Sequence, residues 1–104
     1  MKLEEFKNGF SDPLECPHCG CEYLHHVKTE VFNRQEDEIE GLHVCVDTAG
    51  LRMDTDLRGN PSPRRHGLRI HFSCEQCDSR PELDIFQHKG YTFVNFKDVY
   101  QGKP

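Results

Sequence analysis

The sequence predicts an all-β domain, mostly antiparallel, of about five strands with a long inserted loop. Three observations lead there. Apolar and polar residues alternate with period two in five short stretches. Clusters of Gly, Pro, Asp and Asn separate those stretches. No segment repeats apolar residues at the spacing of a helix face.

Taken in order, residues 1–15 read as a polar arm, ending in Ser11-Asp12-Pro13. One helical turn over Leu3–Lys7 would be marginal alone, because a first turn fixes several residues for a single hydrogen bond. The segment Tyr23–Phe32 alternates and is rich in β-branched and aromatic residues, with Tyr23, Val27, Thr29 and Val31 on one face. The acidic run Gln35–Glu40 is an exposed connection closing at Gly41. Leu42, Val44 and Val46 then alternate with His43, Cys45 and Asp47, a second strand expected to return antiparallel to the first. Residues 49–67 hold Gly50, Gly59, Pro61, Pro63 and Gly67 among several charges, and read as a long or locally disordered loop. Leu68, Ile70 and Phe72 restart the alternation. Leu83–Phe86 and Tyr91–Phe96 flank His88-Lys89-Gly90 as a closing hairpin. The expected organisation is one domain over 16–99 and a short tail at 100–104.

Two Cys-x-x-Cys hooks frame this pattern: Cys16-Pro17-His18-Cys19-Gly20 before the first strand, and Cys74-Glu75-Gln76-Cys77-Asp78 after the third. Two residues between cysteines let the backbone turn over an ion with its amides aimed at the sulfurs. Two such turns brought together form the closed tetrahedral sulfur cage that Zn2+ prefers, one ion per chain, held by Cys16, Cys19, Cys74 and Cys77. Gly20 suits the left-handed conformation that often follows a hook, and Asp78 suits it less. Disulfides need an oxidising compartment. The charged start Met1-Lys2-Leu3-Glu4-Glu5-Phe6-Lys7 has no apolar core and no cleavage pattern, and no stretch is apolar enough to span a membrane. A cytoplasmic location is expected. A redox hook would open a helix after a buried strand, and neither hook is followed by helical periodicity.

With 35% hydrophobic and 30% charged residues in 104, the chain is lean for a self-supporting core. A bound metal offsets that deficit, with apparent binding free energies of about 10–16 kcal/mol in small zinc modules.

The hooks, with strands between and after them, resemble a zinc ribbon, in which two knuckles from neighbouring hairpins grip one zinc beneath a small antiparallel sheet. Asp78 departs from the glycine usual after the second knuckle, and the long separation between hooks implies an inserted hairpin and loop. Asn60-Pro61-Ser62 with Arg64-Arg65, then Phe72-x-Cys74-Glu75-x-Cys77 and Gln87-His88-Lys89-Gly90-x-Thr92, are similar to short uncharacterised zinc-ribbon proteins of bacteria and mobile elements. That resemblance implies a fold and a metal, not an activity.

Other residues carry weaker signals. Cys21 and Cys45 are read as small buried hydrophobes, with Cys21 as a substitute ligand the alternative. His43 and Cys45 share a strand face; if the strand bearing His71 adjoined theirs, the three would make a metal-binding set, against the plainer reading of a solvated polar face. His18 is expected to point to solvent. The run Glu36-Asp37-Glu38 reads as a soluble turn.

The net charge of −5 is uneven. Residues 1–50 carry four Lys/Arg against eleven Asp/Glu, a net −7, and residues 51–104 carry nine against seven, a net +2. Acidity disfavours generic nucleic-acid binding, whose affinity comes from phosphate contacts. The acid-free segment from Arg58 to His71 is the exception. There Arg58, Arg64, Arg65 and Arg69 are the candidate phosphate contacts.

No catalytic triad order, P-loop, dinucleotide fingerprint or His-Glu-x-x-His is present, and no small-molecule substrate is implied. The expectation is a non-enzymatic zinc module acting as an adaptor for another protein. A nucleic-acid-binding ribbon is the alternative, and a metalloenzyme or redox protein the second alternative.

Overall fold

The computed structural model describes residues 12–99, which form a single open antiparallel sheet of six strands. In chain order these are β1 (Leu24–Asn33), β2 (Leu42–Asp47), β3 (Gly50–Asp54), β4 (Gly67–Cys74), β5 (Glu82–His88) and β6 (Tyr91–Lys97). They lie in the order β3-β2-β1-β4-β5-β6, so β1 and β4 are central and β3 and β6 are the edges. No helix occurs among the described residues. The arm before Asp12, including the helical turn expected at Leu3–Lys7, lies outside them.

The alternation expected for five strands places each where it forms, and the second strand does return antiparallel to the first. The expected long loop needs correction. Its first residues form β3, which pairs with β2 through Val46↔Leu51 and Val44↔Met53. The two-residue turn lacks the Asn-Gly or Asp-Gly signal of a hairpin. It is held instead by the Ala49 amide, which donates to Asp47 Oδ1 at 2.8 Å. By contrast, the β5–β6 hairpin carries its signal openly, with Lys89 and Gly90 both at positive φ (52° and 81°).

The rest of the connection, 55–66, is fixed rather than loose. Ser62 is buried; its Oγ donates to the Gln87 carbonyl at 2.6 Å and accepts the amides of Arg64 and Arg65. Asn60 Nδ2 donates to the Arg65 carbonyl at 2.9 Å. A Cβ at Gly67 would collide with Asn60 and Pro61, so the loop lies flat on the start of β4.

The register sorts side chains into two unlike faces. One row across the sheet reads Arg52, Cys45, Glu30, Arg69, Asp84, Asn95. The row on the other face reads Met53, Val44, Val31, Leu68, Ile85, Val94. Against the usual arrangement, the polar face is the closed one. Phe32, Cys45, Gly67 and Asp84 are all buried there, whereas Val31, in the middle of the apolar face, is 41% exposed. In strand β1 a bulge between His26 and Lys28 inserts Val27, so residues before it change sides relative to those after.

Long ionic side chains close the polar face over one another. Arg69 Nε donates to Asp84 Oδ1 at 2.8 Å and its Nη2 to Oδ2 at 3.2 Å. Lys97 Nζ lies 3.4 Å from both Asp84 and Glu82. Phe32 stacks on the His43 ring at a centroid distance of 4.6 Å.

Candidate metal centre

Each hook begins from a backbone turn. The first lies ahead of β1: the Gly20 amide donates to the Cys16 carbonyl at 2.9 Å, and the Cys16 amide to the Cys21 carbonyl at 2.8 Å. Gly20 takes φ +82°, as expected of a residue closing such a turn. The second hook starts at Cys74, the last residue of β4, and turns through residues 75–78. Asp78 has no positive φ, so this hook does not need the left-handed residue that the first one does. Leu24 opposes Cys74 in the β1–β4 ladder and the Glu75 amide donates to the Tyr23 carbonyl at 3.2 Å. Pairing of the two central strands therefore brings the hooks together.

The four sulfurs of Cys16, Cys19, Cys74 and Cys77 lie within 4.8 Å of one another. Cys16 and Cys77 are 3.8 Å apart at Sγ, and Cys19 and Cys74 are 3.6 Å apart. A tetrahedral ion with metal–sulfur bonds near 2.3 Å requires sulfur–sulfur edges of about 3.8 Å. The cage fits a tetrahedral thiolate metal. It is the only such group of Cys, His, Asp and Glu among the described residues.

Backbone amides are aimed at these sulfurs. His18 N lies 3.4 Å from Cys16 Sγ and Gln76 N lies 3.4 Å from Cys74 Sγ. The Cys21 and Ser79 amides do the same for Cys19 and Cys77. Burial opposes ionisation of Cys74, but the Gln76 amide and the Cys19 thiol outweigh it and bring its pKa to about 6. At Cys77 the Ser79 amide favours the thiolate, yet burial and the three neighbouring sulfurs push the pKa up to about 12. Without a cation the cluster can hold only part of its charge, so a divalent ion would displace protons on binding.

A second layer ties the cage to the end of β6. Asp98 Oδ1 accepts from Ser79 Oγ at 2.5 Å and Oδ2 faces His18 Nδ1 at 2.8 Å. His18 therefore does not simply point to solvent. The Arg80 amide donates to the Val99 carbonyl at 2.9 Å. Ser79 and Asp98 gave no sequence signal, since Asp98 meets its partners only after the hairpin has formed.

The remaining candidates are dispersed. Cys21 is partly exposed, with the Tyr23 amide 3.3 Å from its sulfur. Cys45 is buried but in polar company, its sulfur 3.2 Å from Arg52 Nη2. The strand bearing His71 does not adjoin that of His43, because β1 lies between them. The link is instead Glu30, a residue sequence reasoning missed: Oε1 is 3.1 Å from His43 Nε2 and Oε2 is 2.7 Å from His71 Nε2. His43 Nδ1 is also 2.8 Å from Asp54 Oδ1, so both contacts of this ring are hydrogen bonds only when both nitrogens carry protons.

The four arginines do not converge. Arg58 pairs with Asp56 at 2.8 Å and Arg64 with Asp37 at 2.7 Å, both on the surface. Arg69 lies within β4 and is engaged by Asp84. Arg65 is exposed.

No family model, curated protein or solved structure matches this chain. The cage geometry agrees with the zinc-ribbon resemblance at the hooks, while the sheet has six strands rather than about five. No helix among the described residues is long and apolar enough to cross a membrane.

Proposed function

We propose that this chain is a small zinc module whose one metal is structural and whose work is recognition of another protein in a reducing, cytoplasmic setting. The observation that carries the reading is the closed cage. Four thiolates from Cys16, Cys19, Cys74 and Cys77 fill a tetrahedral shell and leave no position for water or substrate. Such an ion adds binding free energy to folding and clamps the hooks to the ends of β1, β4 and β6. Zinc is favoured over other metals because four sulfurs in a tetrahedron suit it and no redox change is then required.

Protein recognition is supported over nucleic acid by the acidic balance of the chain, a net charge of −5. It is also supported by the carboxylate partners of Arg58, Arg64 and Arg69, which neutralise three of the four candidate phosphate contacts.

Native mass spectrometry with elemental analysis is expected to find one zinc per chain. Strong chelator or Cys74→Ser should loosen the fold. A folded, metal-free protein indifferent to chelator would overturn the structural-metal reading. Affinity purification of the tagged protein, with and without nuclease, is expected to retain a protein partner in both arms. Material lost on nuclease treatment, together with weaker and less salt-sensitive binding by Arg64→Ala/Arg65→Ala, would replace the protein reading with the nucleic-acid one.

A further inference from the structure

We infer that the apolar face of the sheet is the interface between two copies of this chain, packed face to face as a sandwich of two six-stranded sheets. A stable domain is ordinarily built from at least two layers around a shared core. Residues 12–99 supply only one. The sheet's apolar side, which should be that core, is the open side: Val31 in its middle is 41% exposed, and Leu51 and Val94 towards its two edges are each 64% exposed.

The size of the face matches a second copy. Six strands about 4.8 Å apart, with about six residues each rising about 3.4 Å, span about 600 Å² before side-chain relief is counted. A standard dimer buries about 800 Å² on each partner, and a patch of about 600 Å² is already at the top of what monomers expose. The chemistry matches as well. The central rows of the face carry no charge: Met53, Val44, Val31, Leu68, Ile85 and Val94 in one, and Leu51, Val46, Thr29, Ile70, Leu83 and Phe96 in the next. A neutral apolar surface has no counterpart to offer a charged partner, but it is complementary to itself, as a two-fold interface requires. Sheets packed about 10 Å apart would interdigitate these side chains.

This inference goes beyond the adaptor reading and can fail separately from it, since it concerns the mass of the purified protein and not what it captures. Sedimentation of the full zinc-loaded chain is the test. The wild type is expected to sediment as a dimer at micromolar concentration. Val31→Glu at the centre of the face should weaken dimerisation by about thirtyfold or more, as loss of a hot spot does. Leu51→Arg at its margin should weaken it less. Arg58→Glu, outside the face, should leave the dimer intact. Zinc content and circular dichroism of each variant show whether it has folded; if Val31→Glu does not fold, Val94→Lys, at an exposed position, takes its place. A wild type that is monomeric, whether alone or because the face is occupied by another protein or by its own terminal residues, overturns the inference. So does a dimer that persists in folded Val31→Glu and Val94→Lys.

Discussion

Val31 and Phe32 are neighbours in β1 and occupy opposite environments: Phe32 is 1% exposed on the face that carries the charges, and Val31 is 41% exposed on the face that carries the hydrocarbon. Phe32 fills the space among Gly67, His43 and the loop at Gly59, whose Cβ position lies 3.4 Å from the Phe32 ring. It therefore packs the loop against the sheet.

Phe32→Ala should remove that anchor and cost about 3–5 kcal/mol, the range for deleting a buried aromatic. Urea unfolding of the zinc-loaded protein at fixed concentration measures it. A loss under about 1 kcal/mol would mean that the ring does not anchor the loop.

The strands were legible because alternation persists in all of them, and the hooks because Cys-x-x-Cys is a local motif. Which face would be buried was not legible. Alternation says that Val31, Val44 and Leu68 share a side, and the hydrophobic effect then favours hiding it. Among the described residues no second layer lies on that side, while Glu30, Arg69 and Asp84 cover one another across three strands. Strand β3 was missed for a different reason. Arg52 and Asp54 look like loop charges until Cys45 and His43 are seen opposite them. The cysteine quartet could be read in full, but its outer layer at Ser79 and Asp98 could not, being fixed by contacts 19 and 80 residues apart in sequence.

Asp98 holds both hooks without touching the metal position. Its Ser79 partner sends its amide to Cys77, and its His18 partner sends its amide to Cys16. Outer-layer groups of this kind typically contribute about 10–100-fold to metal affinity. Asp98→Ala should therefore lose zinc to a chromophoric chelator at least about tenfold faster, with one zinc still bound at the start. An unchanged rate would assign Asp98 to the end of β6 alone.

Asp84 should be less replaceable than the surface acids. It is 3% exposed and accepts two hydrogen bonds from Arg69. Removing one member of a buried pair costs most where the other is left uncompensated. Arg69 keeps Glu82 at 3.5 Å, so the loss should be about 1–3 kcal/mol, that of a charged hydrogen-bond pair. Asp84→Asn should show that loss in urea titration. The double variant Arg69→Met/Asp84→Asn should be less destabilised than the two single losses added together, because the hydrogen bonds between the two are lost only once. Strict additivity would show that the pair is not coupled.

Glu30 contributes to the expected acid sensitivity of the sheet. Burial opposes its ionisation, but the hydrogen bonds from His71 and His43, with Lys28 nearby, outweigh that and hold its carboxyl below the ordinary value of 4.5. A group with a depressed pKa binds fewer protons folded than unfolded, so unfolding takes up protons and acid favours it. The stability Glu30 contributes is full above pH 4.5 and fades as pH falls through the lower folded value. Acid would also protonate the cysteine thiolates and release a metal held by them, in wild type and variant alike. The informative quantity is therefore the difference between wild type and Glu30→Gln, which keeps the shape but cannot ionise. At pH 5 and above the wild type should be the more stable of the two. Below pH 4.5 the difference should shrink, and the two urea midpoints should converge. A gap that stays constant into acid would show that the carboxylate charge between His43 and His71 is not what Glu30 contributes.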